Sequence, residues 1–451
     1  MSKLSVRAGS TGGGTRVRIA GRNFRRVRWV EFGASRAKIV AVPSASAVVV
    51  VSPAHAAGVV DVRVRTAAGL TSKVTRDRYR FRRPPLQVSV GTDVGQTFTC
   101  ARNAAWARCS GESTYGELGN GTTSSTWRQP PVNVKGLSAG VRDISTGLNY
   151  ACAVTATHAA KCWGSEDFGL LGNRVNDLNG FVAKPVTVHG LGSGVSSITA
   201  GPGGANTCAV TTAGAVKCWG QSNAGLLGTN GPTDGLPSLV PVTIAGLPKA
   251  KWVVIMSDNA ICALTTTGGV YCWGGNFQGQ LGAGLGPVIT ATPVRAQGLS
   301  AGVRSLSEAG TGGTACAVTA AGGVKCWGSN ASGVLGDGQT QTFSNVPVSV
   351  KTLQSGQVSV TVGKEDTACA TSTSGGVHCW GYNYDGTLGN GNENDSAVPV
   401  QVKGMSRGAQ QVSIGTYTVC ALTRTGQVKC WGYVPVGDGL SDVPVTLPWY
   451  R

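Results

Sequence analysis

The 14 cysteines of this chain fall into seven pairs with none left over: Cys100 with Cys109, Cys152 with Cys162, Cys208 with Cys218, Cys262 with Cys272, Cys316 with Cys326, Cys369 with Cys379 and Cys420 with Cys430. First members are separated by 52, 56, 54, 54, 53 and 51 residues, and each pair sits in the frame C-A-x-T-x-x-G-x-V-x-C-W-G, followed by G-x-L-G. Seven copies of a unit of this length commit the chain to a repeat architecture, in which each unit buries its core against its neighbours.

Each copy also carries a "PV" strand, at Pro131, Pro185, Pro241, Pro293, Pro347, Pro399 and Pro444, and a strand ending in glycine such as "VRDISTG" from Val141. With the two strands of the cysteine hairpin this makes about four strands per unit. The 68 glycines among 451 residues fit short strands joined by tight turns, and no helical periodicity stands out. Seven four-stranded sheets predict an all-β, seven-bladed β-propeller over 84–451, with a solenoid as the alternative. The first unit begins at "LQVSVG", and a "VPVTL" strand closes the C-terminus. We therefore expect the ring to be closed by N- and C-terminal strands sharing one blade, which would remove exposed sheet edges.

These marks, A-x-T-x-x-G-x-V-x-x-W-G and G-x-L-G, resemble the regulator of chromosome condensation repeat. The resemblance implies a seven-bladed propeller, and a fold that serves nucleotide exchange, chromatin binding, enzyme inhibition and bacterial surface roles. Exchange in that family depends on a wedge inserted in one blade. Periods of 51 to 56 leave no room for one here.

The cysteines could be metal ligands, a redox couple or staples. In the pair Cys262 and Cys272 the hairpin closes between Thr265 and Gly269, so counting outward sets the two cysteines opposite each other. Opposed residues at a non-hydrogen-bonded site lie about 4.5 Å apart at Cα, within disulfide reach. A thiolate metal site would want four ligands, and redox catalysis one active pair, not seven. Seven structural disulfides follow, and with them an oxidising compartment. Two units depart from the frame: the first has a cysteine spacing one residue shorter and Ser110 in place of tryptophan, and the second has His158 at the turn glycine. Those turns should be strained or loose.

Net charge is +18, distributed unevenly: residues 1–83 hold 18 Lys and Arg against 3 acids, and 84–451 hold 21 against 18. The first 83 residues read as alternating strands, "TRVRIAG", "VVDVRVRT" and "TRDRYRFRR", with Arg16, Arg18, Arg63, Arg65, Arg76, Arg78, Arg80 and Arg82 on the outer side. The frame "GGTRVRIAGRNF", "VRWVEFG" and "GVVDVRVRT" resembles an IPT/TIG domain, which implies an immunoglobulin-like β-sandwich over 1–83 whose usual first strand is missing. "RRPPL" at 82–86 would be a short stiff linker. Arginine rows on neighbouring strands could hold an anionic cell-surface polymer; they could also be an ordinary solvated face.

Nothing in the sequence points to an enzyme or a cofactor. His55, His158, His189 and His378 have no metal-ligand spacing, and neither a phosphate loop nor a nucleophile elbow occurs. "GNGNENDS" at 389–396 concentrates oxygens, but a polar solvated loop is the simpler reading. The residue before each second cysteine is Arg108, Lys161, Lys217, Tyr271, Lys325, His378 or Lys429. Blade symmetry would set these at one radius, as a mostly cationic ring or as stems covering tryptophans. The expectation is a monomeric, secreted or surface-displayed bacterial binding protein, its leader not in this chain, with no membrane span and no role for nucleic acid. Its partner would be a protein or an anionic polymer, and a proteinaceous enzyme inhibitor is the alternative.

Overall fold

The computed structural model describes residues 3–10, 15–53, 55, 58–71, 78–82, 87–91, 98–103, 105–138, 140–231, 235–256, 260–307, 313–339, 341–363, 365–434 and 439–447. Two compact units divide it, one made of 1–85 with 423–427 and one made of 86–422 and 428–447.

The smaller unit is a β-sandwich of nine strands: β1 (Lys3–Leu4), β2 (Ala8–Ser10), β3 (Arg16–Ala20), β4 (Val27–Phe32), β5 (Ser35–Ser44), β6 (Ala47–Val51), β7 (Gly58–Thr66), β8 (Gly69–Leu70) and β9 (Arg78–Arg82). Their order is β1-β3-β6-β5-β4-β7-β9-β2, with β8 paired to β7. Alternation works as the sequence predicts: Val17, Ile19, Val62, Val64 and Tyr79 are buried in one core with Phe32, whose ring meets the Tyr79 ring edge-on at 4.9 Å. One expectation needs correcting. An initial strand is present in two short pieces, β1 antiparallel to β3 and β2 parallel to β9.

In the larger unit seven four-stranded antiparallel sheets follow one another along the chain. We call them blades 1 to 7 and their strands a to d from the channel outward. Blade 4, for example, has a at Ala250–Met256, b at Ala260–Thr265, c at Val270–Gly275 and d at Ile289–Arg295. The b–c turns and d–a connections lie at one end of the propeller, and the a–b and c–d loops at the other.

Each blade is made from one continuous stretch. Blade 1 runs from Gln87 to Asn133 and blade 7 from Ala409 to Thr446, so among the described residues no blade takes strands from both ends of the chain. The expected shared blade is not formed, because the glycine-ended strand opens each repeat as strand a and the "PV" strand ends it as strand d. Blades 1 and 7 meet instead through their a strands. Gln411 Nε2 donates to Val88 O at 3.1 Å and its Oε1 accepts from Val88 N at 3.1 Å, while Ser413 Oγ accepts from Val90 N at 3.2 Å. The same joint recurs between blades 1 and 2, where Gln87 bridges N and O of Ile144 and Ser89 Oγ accepts from Thr146 N. Side chains thus satisfy the backbone of the adjoining inner edge, and ring closure repeats an ordinary blade joint.

Six buried tryptophans clasp successive blades. Each indole donates to the carbonyl of the x residue in the preceding G-x-L-G, at 2.7 to 2.9 Å: Trp163 to Glu117, Trp219 to Leu170, Trp273 to Leu226, Trp327 to Gln280, Trp380 to Val334 and Trp431 to Thr387. The closing glycine of that motif is required by the ring beside it, since a Cβ on Gly336 would fall 2.7 Å from Trp380 Nε1. Among the described residues, six hydrophobic clusters join blades 1–2 through 6–7, and none spans 7–1.

Candidate functional site

The cysteines form seven disulfides, one inside each blade between strands b and c. Along the chain Cys100 bonds Cys109, Cys152 bonds Cys162, Cys208 bonds Cys218 and Cys262 bonds Cys272, with Cα separations of 4.0 or 4.1 Å. In the last three blades Cys316 bonds Cys326, Cys369 bonds Cys379 and Cys420 bonds Cys430, over the same 4.0 or 4.1 Å. This is the pairing that the hairpin count predicts, and no described cysteine is free. In blade 4 the register sets Cys262 opposite Cys272 and Leu264 opposite Val270, and Gly268 takes φ +82 at the third loop position. All fourteen cysteines are buried in the blade cores, where none can reach a ligand. They are framework, not a binding or redox site.

His158 adopts the left-handed conformation of the glycine it replaces, φ +63, and its Nδ1 bonds Val195 O at 2.8 Å. That contact across the d–a connection offsets the strain expected of the second blade's turn. The first blade deviates more: its strands c and d slip register twice, between Cys109 and Gly111 and between Gly111 and Ser113.

The arginine rows of the smaller unit separate. Arg16 and Arg18 are exposed on β3, but β6, β5 and β4 lie between β3 and β7. Arg63 and Arg65 on β7 are half-buried and engaged within their own sheet. Arg63 Nε donates to Thr71 O at 3.0 Å, and the Arg65 guanidinium lies 5.6 Å from the Trp29 ring, whose other partner is Arg36 at 4.3 Å. Arg78 is exposed on β9, opposite Asp61. Arg80 and Arg82 belong to β9 as well, while Arg76 and the linker residues 83–86 lie outside the described residues.

Arg108, Lys161, Lys217, Tyr271, Lys325, His378 and Lys429 occupy one position on strand c in all seven blades, half-buried near the b–c turns. Most face a short polar residue of strand d, as Lys325 faces Ser349 with Nζ to Oγ 3.3 Å, and Arg108 Nε donates to Asn133 Oδ1 at 2.9 Å. Burial lowers the His378 pKa below its ordinary value, so that position adds no charge near neutrality.

The loop at 389–396 turns its oxygens inward. Asn383 Nδ2 donates to the carbonyls of Asn392 and Asn394 at 2.9 Å, and Asp395 Oδ1 accepts from Asn383 N at 2.7 Å. Asn276 and Asn330 serve the same loops of blades 4 and 5. An amide thus fills the centre that a cation would need. Among the described residues, no group of three His, Cys, Asp or Glu could hold a metal.

Sequence reasoning missed the channel. Strand a is an inner edge, and its residues matter by ring position, which no local pattern marks. One ring places Gln87, Asp143, Ser197, Trp252, Ser305, Ser359 and Gln411 at equivalent points. Asp143 is fully buried; its carboxylate accepts from Ile198 N at 3.0 Å and Gln87 Nε2 at 2.9 Å, and desolvation raises its pKa despite those bonds and the nearby Arg102. One residue earlier on strand a come Arg142, Lys251 and Arg304, all exposed at the mouth on the b–c turn side. The alignment that finds these cations starts from the strand ending in glycine, not from the cysteines.

At the opposite end the c–d loops and the starts of strand d expose large apolar side chains in six blades: Phe168 and Phe181, Leu236, Phe277 and Ile289, Phe343, Tyr384, and Leu440. Tyr384 is 72% exposed, Leu236 63% and Phe277 54%.

A ring of disulfide-stapled, tryptophan-clasped blades that follows an immunoglobulin-like unit in the chain defines an all-β repeat protein whose propeller has two distinct ends. The sequence model of the regulator of chromosome condensation (RCC1) repeat matches residues 256–280 and 374–422, and that of the IPT/TIG domain matches 1–77. Those matches fall in the propeller and in the N-terminal unit, so the chain carries RCC1-type repeats within a seven-bladed propeller and an IPT/TIG match ahead of it. It is 28% identical over 356 residues to the ultraviolet-B receptor UVR8 of Arabidopsis thaliana, covering 77% of this chain and 78% of that protein. It is 33% identical over 252 residues to the E3 ubiquitin-protein ligase HERC2 of Homo sapiens, covering 55% of this chain but 5% of that protein. Among solved structures, human WBSCR16 superposes with TM-score 0.61 at 19% identity, covering 78% of this chain and 90% of that one. Yeast RCC1 (Prp20), solved with Kap60 bound, superposes with TM-score 0.63 at 20% identity, covering 76% and 83%. These two likenesses concern the fold alone. Among the described residues no helix is long and apolar enough to cross a membrane.

Proposed function

We propose that this chain is a non-catalytic binding protein of an oxidising compartment, secreted or held at the cell surface, that grips a protein partner with the c–d loop end of its propeller. The observation behind this reading is the circle of exposed aromatic and aliphatic side chains spread over six blades at that end. Soluble surfaces carry single exposed apolar residues freely, but a recurring band at one end is what a protein interface supplies. The seven disulfides support the compartment.

A proteinaceous enzyme inhibitor is the second reading, and the same end would then cover an enzyme. Binding of an anionic polymer would use the exposed Arg16, Arg18 and Arg78, or the strand-c cations at the other end of the ring.

The test is affinity capture from cell-surface extract by the full chain and by a double variant, Phe277→Asp with Phe343→Asp. The reading predicts one or a few proteins retained by the native chain and lost by the variant. Retention unchanged in the variant, or retention of polyanions alone, would refute it.

A further inference from the structure

We infer that the channel mouth on the b–c turn side is a second binding site, independent of the apolar end, and that it takes an extended acidic peptide segment carrying an apolar side chain.

Two cavities of about 330 and 240 Å³ open at this mouth and share Trp252 and Gln411 in their walls. Arg102, Arg142, Lys251 and Arg304 supply the charge around them, from blades 1, 2, 4 and 5. The one carboxylate in the walls, Asp143, is engaged by Ile198 N and Gln87 Nε2. Arg142 and Arg304 are held outward by bonds to the b–c turn carbonyls of Ala156 and Ala320, which sets their guanidinium groups around the opening at little further entropic cost.

An independent observation points to a ligand. Ser197 lines the larger cavity, is 6% exposed, and its Oγ has no hydrogen-bond partner among the described residues. A buried hydroxyl left unpaired is costly, and a ligand carbonyl or carboxylate reaching it would remove that cost.

The remaining wall selects the ligand class. Trp252 stands where the other blades carry Gln, Asp or Ser, and beside it the smaller cavity is walled by Leu264, Leu306, Val360 and Val412. Cations at the rim with an aromatic and aliphatic floor fit a peptide of alternating acidic and apolar residues. A uronic polymer would leave that floor without a partner. The volumes admit a few residues of extended chain, not a folded surface.

The probe is a fluorescein-labelled hexapeptide of alternating glutamate and leucine, titrated into the full chain by anisotropy, with a lysine–leucine hexapeptide as control and polygalacturonate as competitor. The acidic peptide should bind with marked salt dependence, and Arg142→Glu combined with Arg304→Glu should weaken it at least about tenfold. Should charge reversal disturb folding, Arg142→Gln with Arg304→Gln serves in its place. Phe277→Asp with Phe343→Asp should leave this binding unchanged, so failure here and failure of the apolar end are separable. Absence of binding up to about 1 mM, equal binding of the lysine peptide, unchanged affinity in the mouth variants, or tighter competition by polygalacturonate through Arg142 and Arg304 would each overturn the assignment.

Discussion

Asp366 and Asn149 hold one position in two blades, just before strand b, and both adopt left-handed backbone, at φ +51 and +61. Asn tolerates that conformation as well as Asp does, but Asp brings a charge to a site where its Oδ1 lacks a partner among the described residues. Desolvation and the neighbouring Glu365 push the Asp366 pKa up to about 7. A carboxyl whose folded pKa is raised contributes stability in full below its unfolded pKa and loses it as pH rises through the folded value. Asp366→Asn should therefore stabilise the protein at pH 8 by about 1–2 kcal/mol and change little at pH 4, as thermal melts at the two pH values would show. An equal shift at both would mean that charge is not the cause. Asp143 has the same sign, raised by burial, and it adds to the preference for mild acid.

At the scale of the element, the blade was legible and the joint was not. The cysteine frame fixes strands b and c, and the hairpin count from Thr265 to Gly269 sets Cys262 against Cys272, as observed. The same register recurs at Cys162, Cys218, Cys326, Cys379 and Cys430, each opposite the first cysteine of its own blade. Strand a was misplaced, because "LQVSVG" reads as an incomplete unit until Gln87 and Gln411 are seen bonding adjoining edges. Such bonds join residues up to 323 apart in the chain, and local pattern carries no trace of them. The seam between blades 7 and 1 has Ser110 where the other blades have a clasping tryptophan. Gln411→Leu removes two hydrogen bonds there and should cost about 1–3 kcal/mol, with faster amide exchange in residues 87–90. The same change at Gln87 should cost at least as much, since it also takes a partner from the buried Asp143 carboxylate and from Arg102. Trp380→Phe should cost about 1–3 kcal/mol by leaving the Val334 carbonyl without its donor. A loss below about 0.5 kcal/mol would show that the indole N–H contributes little beyond packing.

Across the whole molecule the two ends of the propeller differ in chemistry. Apolar side chains crowd the c–d loops, and cations gather at the b–c turns and the channel mouth. The sequence places the charge excess in residues 1–83, yet there Arg63 and Arg65 serve Thr71 and Trp29 within the sandwich. The binding surfaces proposed above lie on the propeller, where ring position rather than neighbouring sequence decides what gathers. Because each short loop closed by a disulfide adds about 2–3 kcal/mol in the chain-entropy model, reduction should lower the melting temperature sharply. The most direct measurement is a disulfide map by mass spectrometry of protein prepared without reductant. The account predicts seven crosslinks, each inside one blade between cysteines 9 or 10 residues apart, and no free thiol. Fourteen free thiols, or crosslinks between blades, would contradict it.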